Sequence, residues 1–436
     1  MTIPGKVDRS ADTSAAITDD HLERALLLIG YDEASPQRQQ FTEANEDSIR
    51  AFAMAFGSDN PLYCDPDYAR HTRWGGLIAP GTMAVSMGAP LWGDPRPDHI
   101  ARAKRHLFQG IHQLHSGNQW EWYRPIKLGD RVYRFGGQES LDVKKSEFAG
   151  RSVIRVQRDV VMNQQAQIVC IYRPLMVLSE RKTAATRGKY KDIEPAFYTD
   201  EELAKIDAIY AAERVRGAEP RLWEEVSVGD SLGTMAKGPL TISDIIALHA
   251  GGFGMVEFGP ATGRIRYQRR QVMPRAYIKN KLGIPDIAMR MHWDDDWARE
   301  IGSPMAYDYG FQRELWLYHY LSDWCGDDGI VMRMADQIRM FNFHGDTQII
   351  TGEVVDKKLE NGAATVDVKV RFTSQRGDIT MEATASLGLP STARGKAEYP
   401  VAPAELSDRA KSLLTRHHEL SASRDGADRG KSHLTQ

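Results

Sequence analysis

The chain has 436 residues, 42% of them hydrophobic and 26% charged, with a formal net charge of -3. That is an ordinary globular balance, long enough for about two or three domains. It offers no electrostatic case for nucleic acid or an acidic membrane as a partner. The three cysteines, Cys64, Cys170 and Cys325, are widely separated and lack metal-ligand spacing; reduced thiols in a cytoplasmic protein are expected. The first twenty residues have no apolar signal-peptide core, and no apolar run approaches the roughly 18 residues a membrane helix needs.

Taken in order, residues 1–35 hold one helix signal. Thr18 caps DDHLERALLLIG, the Asp pair suits the helix dipole, and Gly30 ends it. A second helix runs from the Asn45 cap to Phe56 and stops at Gly57, followed by the polar loop SDNPLYCDPDYA. From Thr82 to Trp92 the text is almost wholly apolar, which predicts a helix buried on all sides. Leu107 to Leu178 then reads as β-structure: RVYRFGGQES, RSVIRVQRDVVM and AQIVCIYRPLMVL, parted by Gly and Asn turns. Strands wrapped on one buried helix make an α+β unit over residues 36–180.

Residues 181–221 form a polar linker with one capped helix after Thr199. The first unit then recurs over residues 222–391. LTISDIIALHAGG repeats the early helix, His292 to Gly310 repeats Tyr63 to Gly81, and FQRELWLYHYLSDW takes the place of the buried helix. GDTQIITGEVVDKK echoes GDRVYRFGGQESLDVKK, a Gly-Asp pair opening a long strand in each copy. The second copy has an extra segment before His292. The tail, 392–436, is polar and is expected to be disordered beyond about Leu414.

NPLYCDPDYARHTRWGGLIAPG and HWDDDWAREIGSPMAYDYG resemble the segment shared by MaoC-like hydratases and dehydratases. The resemblance implies tandem hot-dog domains, each a curved antiparallel sheet around a central helix, and reversible hydration of a 2-enoyl-CoA to an (R)-3-hydroxyacyl-CoA. The family pattern is roughly G-D-x-N-P-x-H-x-D, whose Asp and His hold the catalytic water. In the first copy these two positions are Ser58 and Tyr63, neither a good base near neutral pH. That copy is expected to keep the fold and lose the chemistry. In the second copy His292 matches the His, and Asp286 is the preferred carboxylate, with Asp294 as the alternative. Gly310, at the start of the buried helix, is expected to aim free backbone N–H groups at the thioester oxygen.

The extra segment, GRIRYQRRQVMPRAYIKNK, is basic throughout. Arg269, Arg270 and Arg275 could hold the phosphates of coenzyme A; the alternative is a solvated basic loop. No cofactor beyond the CoA of the substrate, and no metal, is expected. His112 and His115 should face opposite sides of a strand, which argues against shared ligation. The expected assembly is a homodimer. Two competing readings remain: a hot-dog thioesterase using Asp294 to Asp296, and a non-catalytic acyl-CoA-binding subunit.

Overall fold

Strands dominate the architecture because the alternating segments each bury one face. A computed structural model describes residues 16–146, 150–179, 190, 193–254, 259–360 and 362–424. The strands are β1 (Glu33–Ala34), β2 (Ile78–Ala79), β3 (His112–Trp122), β4 (Ile126–Lys127), β5 (Val132–Ser146), β6 (Gly150–Asn163), β7 (Ile168–Ser179), β8 (Ser231–Lys237), β9 (Tyr277–Lys279), β10 (Pro285–Ile287), β11 (Ile330–Ile338), β12 (Gln348–Glu360), β13 (Ala363–Ser374) and β14 (Ile379–Gly388). Ten of them form one sheet in the order β1-β5-β6-β7-β3-β11-β14-β13-β12-β8. The order is a mirror image about the β3–β11 contact, which is antiparallel through Arg333↔Glu121, Met334↔Trp120 and Ala335↔Gln119. Each copy therefore covers one edge strand of the other, removing an edge that would otherwise template aggregation. The fold is the expected α+β tandem hot-dog.

The second copy wraps the helix Gly310–Cys325, whose residues from Phe311 onward are all buried. This helix is not purely apolar. Arg313 meets Asp308 at 2.9 Å, Glu314 accepts from Asn118 and Trp120 at 3.1 Å each, and Asp323 accepts from Asn60 at 3.1 Å. Asn118, Trp120 and Asn60 belong to the first copy. The first copy's loop clamps the far end of the same helix: Tyr68 donates to Asp327 at 2.6 Å and the Trp74 indole donates to the Asp327 carbonyl at 2.9 Å.

Among the described residues the first copy has no matching helix. Where Thr82 to Trp92 predicts one, only a 3-10 turn forms, Gly81–Ser86, and the chain then runs extended. Gly88 and Pro90 weaken helix propagation. The backbone has better partners, since the N–H groups of Gly88, Ala89 and Leu91 donate to Phe41, Val132 and Ser35. Buried Arg134 also takes the carbonyls of Met87 and Ala84.

The tail also departs from expectation. Ala404–Arg424 is helical, and Ala410, Leu413 and Leu414 pack with Tyr133, Phe135 and Ile168 of the first copy. Their i, i+3, i+4 spacing gives one apolar stripe within a polar sequence. Residues 425–436 lie outside the described part. Replacing both Leu413 and Leu414 with Asp should lower the unfolding free energy by roughly 2–5 kcal/mol in urea titrations. An unchanged midpoint would show that the helix is not docked in solution.

Candidate active site

The start of the central helix gathers the titratable groups. Its N-cap is Tyr309, whose side chain makes no capping hydrogen bond, so the first-turn N–H groups lack the usual side-chain acceptor. His292 ends the 3-10 turn Ala288–His292 and stacks on the Tyr309 ring at 3.8 Å between centroids. Its Nδ1 lies 2.9 Å from the Tyr307 carbonyl. A carbonyl can only accept, so Nδ1 carries the hydrogen and Nε2 holds the lone pair. Burial drives its pKa down to about 4 against the raising effect of the Tyr307 and Asp308 backbone. The ring is therefore neutral across the physiological range.

A second histidine, unremarked in the sequence, supports the first. His249 lies on the helix Ile242–Ala250. Its Nδ1 is 2.8 Å from the Phe253 carbonyl and its Nε2 is 3.1 Å from the Tyr309 hydroxyl. By the same logic Tyr309 donates its O–H to His249, which fixes the ring that His292 stacks on. The signal available beforehand was an isolated His in the apolar run LTISDIIALHAGG, too weak to distinguish from core packing.

The carboxylates near His292 serve other ends. No hydrogen bond or ion pair joins Asp286 to His292. Asp286 sits in β10, paired opposite Ile278, and accepts from the Ile287 N–H at 2.8 Å. Buried Arg290 pins this hairpin by donating to the carbonyls of Ile278, Asp286 and Ile287, so Asp286 is held on its own strand. Asp294 caps Asp295–Glu300, accepting from Trp297 at 3.1 Å, and pairs with Arg290 at 3.2 Å. Asp295 accepts from the Ala306 N–H at 2.8 Å, and Asp296 pairs with Lys281 and Arg299.

Gly310 is tightly enclosed. A Cβ there would stand 2.6 Å from Ile338 Cδ1 and 3.1 Å from His115 Nδ1. His115 comes from β3 of the first copy, and its Nε2 lies 3.3 Å from Glu314 Oε1. Burial and the nearby Arg313 push His115 down to about 4, against the raising effect of the Gly117 backbone. Burial, then the charge of Asp336, push Glu314 well above the usual carboxylate range. From the sequence His115 is weighed only as a metal ligand, and Glu314 is not singled out. Glu314 was visible as a charge inside an apolar helix, but its partner was not.

In the first copy Ser58 and Tyr63 are buried. Tyr63 contacts Ser322 and Tyr318 of the central helix through its hydroxyl, so the motif position that would carry a His packs the two copies together. Arg269 and Arg270 lie on the helix Gly263–Val272 and Arg275 on the turn after it. Arg269 donates to the Gly259 carbonyl at 2.8 Å, and Arg270 lies over the Tyr267 ring at 5.9 Å. Among the described residues no helix is long and apolar enough to cross a membrane.

Among solved structures, a MaoC-like dehydratase superposes with a TM-score of 0.53 at 16% identity, covering 85% of this chain and 98% of that one. The chain has the MaoC-like double hot-dog fold. Residues 36–172 match the family described as FAS1-like, dehydratase domain region. A UPF0336 protein of Streptomyces avermitilis is 26% identical over 118 residues, 27% of this chain and 73% of that protein. A probable enoyl-CoA hydratase alpha subunit of Thermomonospora curvata is 24% identical over 189 residues, 41% of this chain and 58% of that protein. The match thus spans little more than half the length of that subunit.

The histidine environment has a pH signature. An unfolded His titrates near 6.5. With folded values near 4 for His292 and His115, the unfolded state binds more protons between those limits. The stability held above pH 6.5 is lost as pH falls toward 4, by at most about 3 kcal/mol per ring. NMR of the ring nitrogens should find His292 neutral at pH 5 with the hydrogen on Nδ1. A ring titrating near 6.5 would contradict the packing described.

Proposed function

We propose that this MaoC-like chain adds water reversibly to a 2-enoyl-CoA, giving the (R)-3-hydroxyacyl-CoA. The observation that carries the reading is His292, neutral and anchored through Nδ1, stacked on the residue that begins the central helix. Its Nε2 takes a proton from the water that attacks the β-carbon. The low pKa makes the resulting imidazolium a strong acid, which suits the return step in dehydration. The N–H groups at Gly310 and Phe311 stabilise the thioester oxygen as it gains enolate charge, an effect worth roughly 3–4 kcal/mol in other enzymes. Any coupling of Asp286 to His292 runs through a bridging water.

Arg269, Arg270 and Arg275 hold the phosphates of the CoA, and the enzyme works in the cytoplasm as a homodimer. The first copy supplies scaffold at the Ser58 and Tyr63 positions. A thioesterase using Asp294 to Asp296 is the second reading. Asp294 as a helix cap and Asp295 as an acceptor of the Ala306 N–H are tied to local structure, which weighs against it.

Hydration is followed by loss of the enoyl absorbance, and hydrolysis by release of free CoA. His292→Ala should lower kcat by about 10²–10⁴, while Tyr63→Phe should stay within about threefold of wild type. Neutralising Arg269 and Arg270 with Gln should raise KM with little change in kcat. CoA release without hydration would favour the thioesterase. Binding without turnover of any enoyl-CoA would favour a non-catalytic subunit.

A further inference from the structure

Water addition to an enoyl thioester needs two proton movements, one off the water at the β-carbon and one onto the α-carbon. His292 accounts for the first. Tyr309 carries His292, and the next residue, Gly310, has His115 against it. We propose that His115, backed by Glu314, handles the proton at the α-carbon, so that the active site is assembled from both copies. This inference rests on the hydration reading above.

The strand geometry is the first argument. Asn118, Trp120 and Trp122 of β3 are buried facing the core, which would put residue 116 inward and His115 outward in a regular strand. The pairing of β3 with β7 slips between His115 and Gly117, leaving Ser116 as an extra residue. A bulge of this kind reverses the parity beyond it, and His115 turns inward. Gly117 makes the bulge possible: its φ is +142°, and a Cβ there would stand 2.2 Å from the Asp336 carbonyl oxygen.

The chemistry is the second. Asn118 and Trp120 fix Glu314 Oε2, while Oε1 has no hydrogen-bond partner and lies 3.3 Å from His115 Nε2. The Glu314 side chain is 0% exposed and the His115 side chain 24% exposed, so the imidazole stands between solvent and the acid. The charged neighbours are Asp336 on β11, whose carboxyl is raised by burial, and Arg313 on the helix, which is paired to Asp308. Two buried carboxyls side by side keep a proton where an exposed one would lose it.

The step balances as follows. The water oxygen bonds to the β-carbon and its proton passes to His292 Nε2. The π electrons move onto the α-carbon and the thioester oxygen at Gly310. His115 Nδ1, the ring atom nearest Gly310, gives its proton to the α-carbon while the Glu314 proton passes to Nε2. The imidazolium at His292 and the carboxylate at Glu314 are then reset by one proton moving through solvent. His115 is the catalytic residue; Glu314 acts through it as a positioning residue. Dehydration reverses each transfer.

The test uses the 436-residue wild-type chain with His115→Gln, Glu314→Gln and His292→Gln. One readout is hydration of crotonyl-CoA; the other is deuterium exchange at the α-carbon of butyryl-CoA in heavy water, which needs no water addition. Wild type should show both. His115→Gln and Glu314→Gln should lose exchange and at least about 100-fold in kcat, with KM within about threefold. His292→Gln should lose hydration and keep exchange. Melting curves and butyryl-CoA binding report the fold, and Glu314→Asp should regain part of the exchange if Glu314 → Gln is merely unstable. Exchange retained in a folded His115→Gln protein overturns the proposal. A wild type that hydrates but does not exchange also overturns it and leaves the hydration reading standing. A wild type that exchanges but does not hydrate overturns that reading and supports the pair.

Discussion

A helix that runs through a core cannot leave its ionisable side chains unpaired, because desolvating an isolated charge costs several kcal/mol. Gly310–Cys325 carries Arg313, Glu314, His319 and Asp323 into the interior. Glu314 finds Asn118 and Trp120, and Asp323 finds Asn60 and lies 3.0 Å from His319. His319 meets Lys237 at 2.9 Å, and Lys237 in turn reaches the Phe56 carbonyl. Asn60, Phe56, Asn118 and Trp120 all come from the first copy. The two copies are thus one folding problem, joined through buried polar contacts as well as through the β3–β11 pairing.

The asymmetry of the duplication follows from the same requirement. Both copies keep the same strand order, but among the described residues only the second has a long central helix. In the first, Arg134 and the neighbouring strands take up the backbone groups that a helix would have used. The loop SDNPLYCDPDYA, a site motif by sequence, meets the second copy's helix with Asn60, Tyr63 and Tyr68. The Tyr63 position is therefore also a contact between the copies.

The same joint gathers the residues of the proposed site. Tyr309 and Gly310 stand where the helix begins, with His292 and His249 gathered on Tyr309 from the second copy and His115 brought to Gly310 from the first. A Cβ at 310 would press on the side-chain ends of Ile338 and His115. The functional reading needs a close approach to the helix start, and the packing supplies a residue that permits it.

Residue order alone reveals the duplication, the α+β class and the main strands, because hydrophobic periodicity and Gly-Asp turn signals are local properties. It also fixed the helix caps at Thr18, Asn45 and Thr199, since a cap joins residues only a few positions apart. Long-range packing settles that Thr82 to Trp92 is not a helix, that residues after Ala404 are, and that Asp286 forms no direct pair with His292. Those outcomes turn on partners distant in the chain: Arg134 for the first, the Tyr133–Phe135 surface for the second, the Arg290 carbonyl network for the third. The inward turn of His115 depends on a single extra residue in β3. One residue of slip reverses every side chain beyond it, and composition carries no record of the slip.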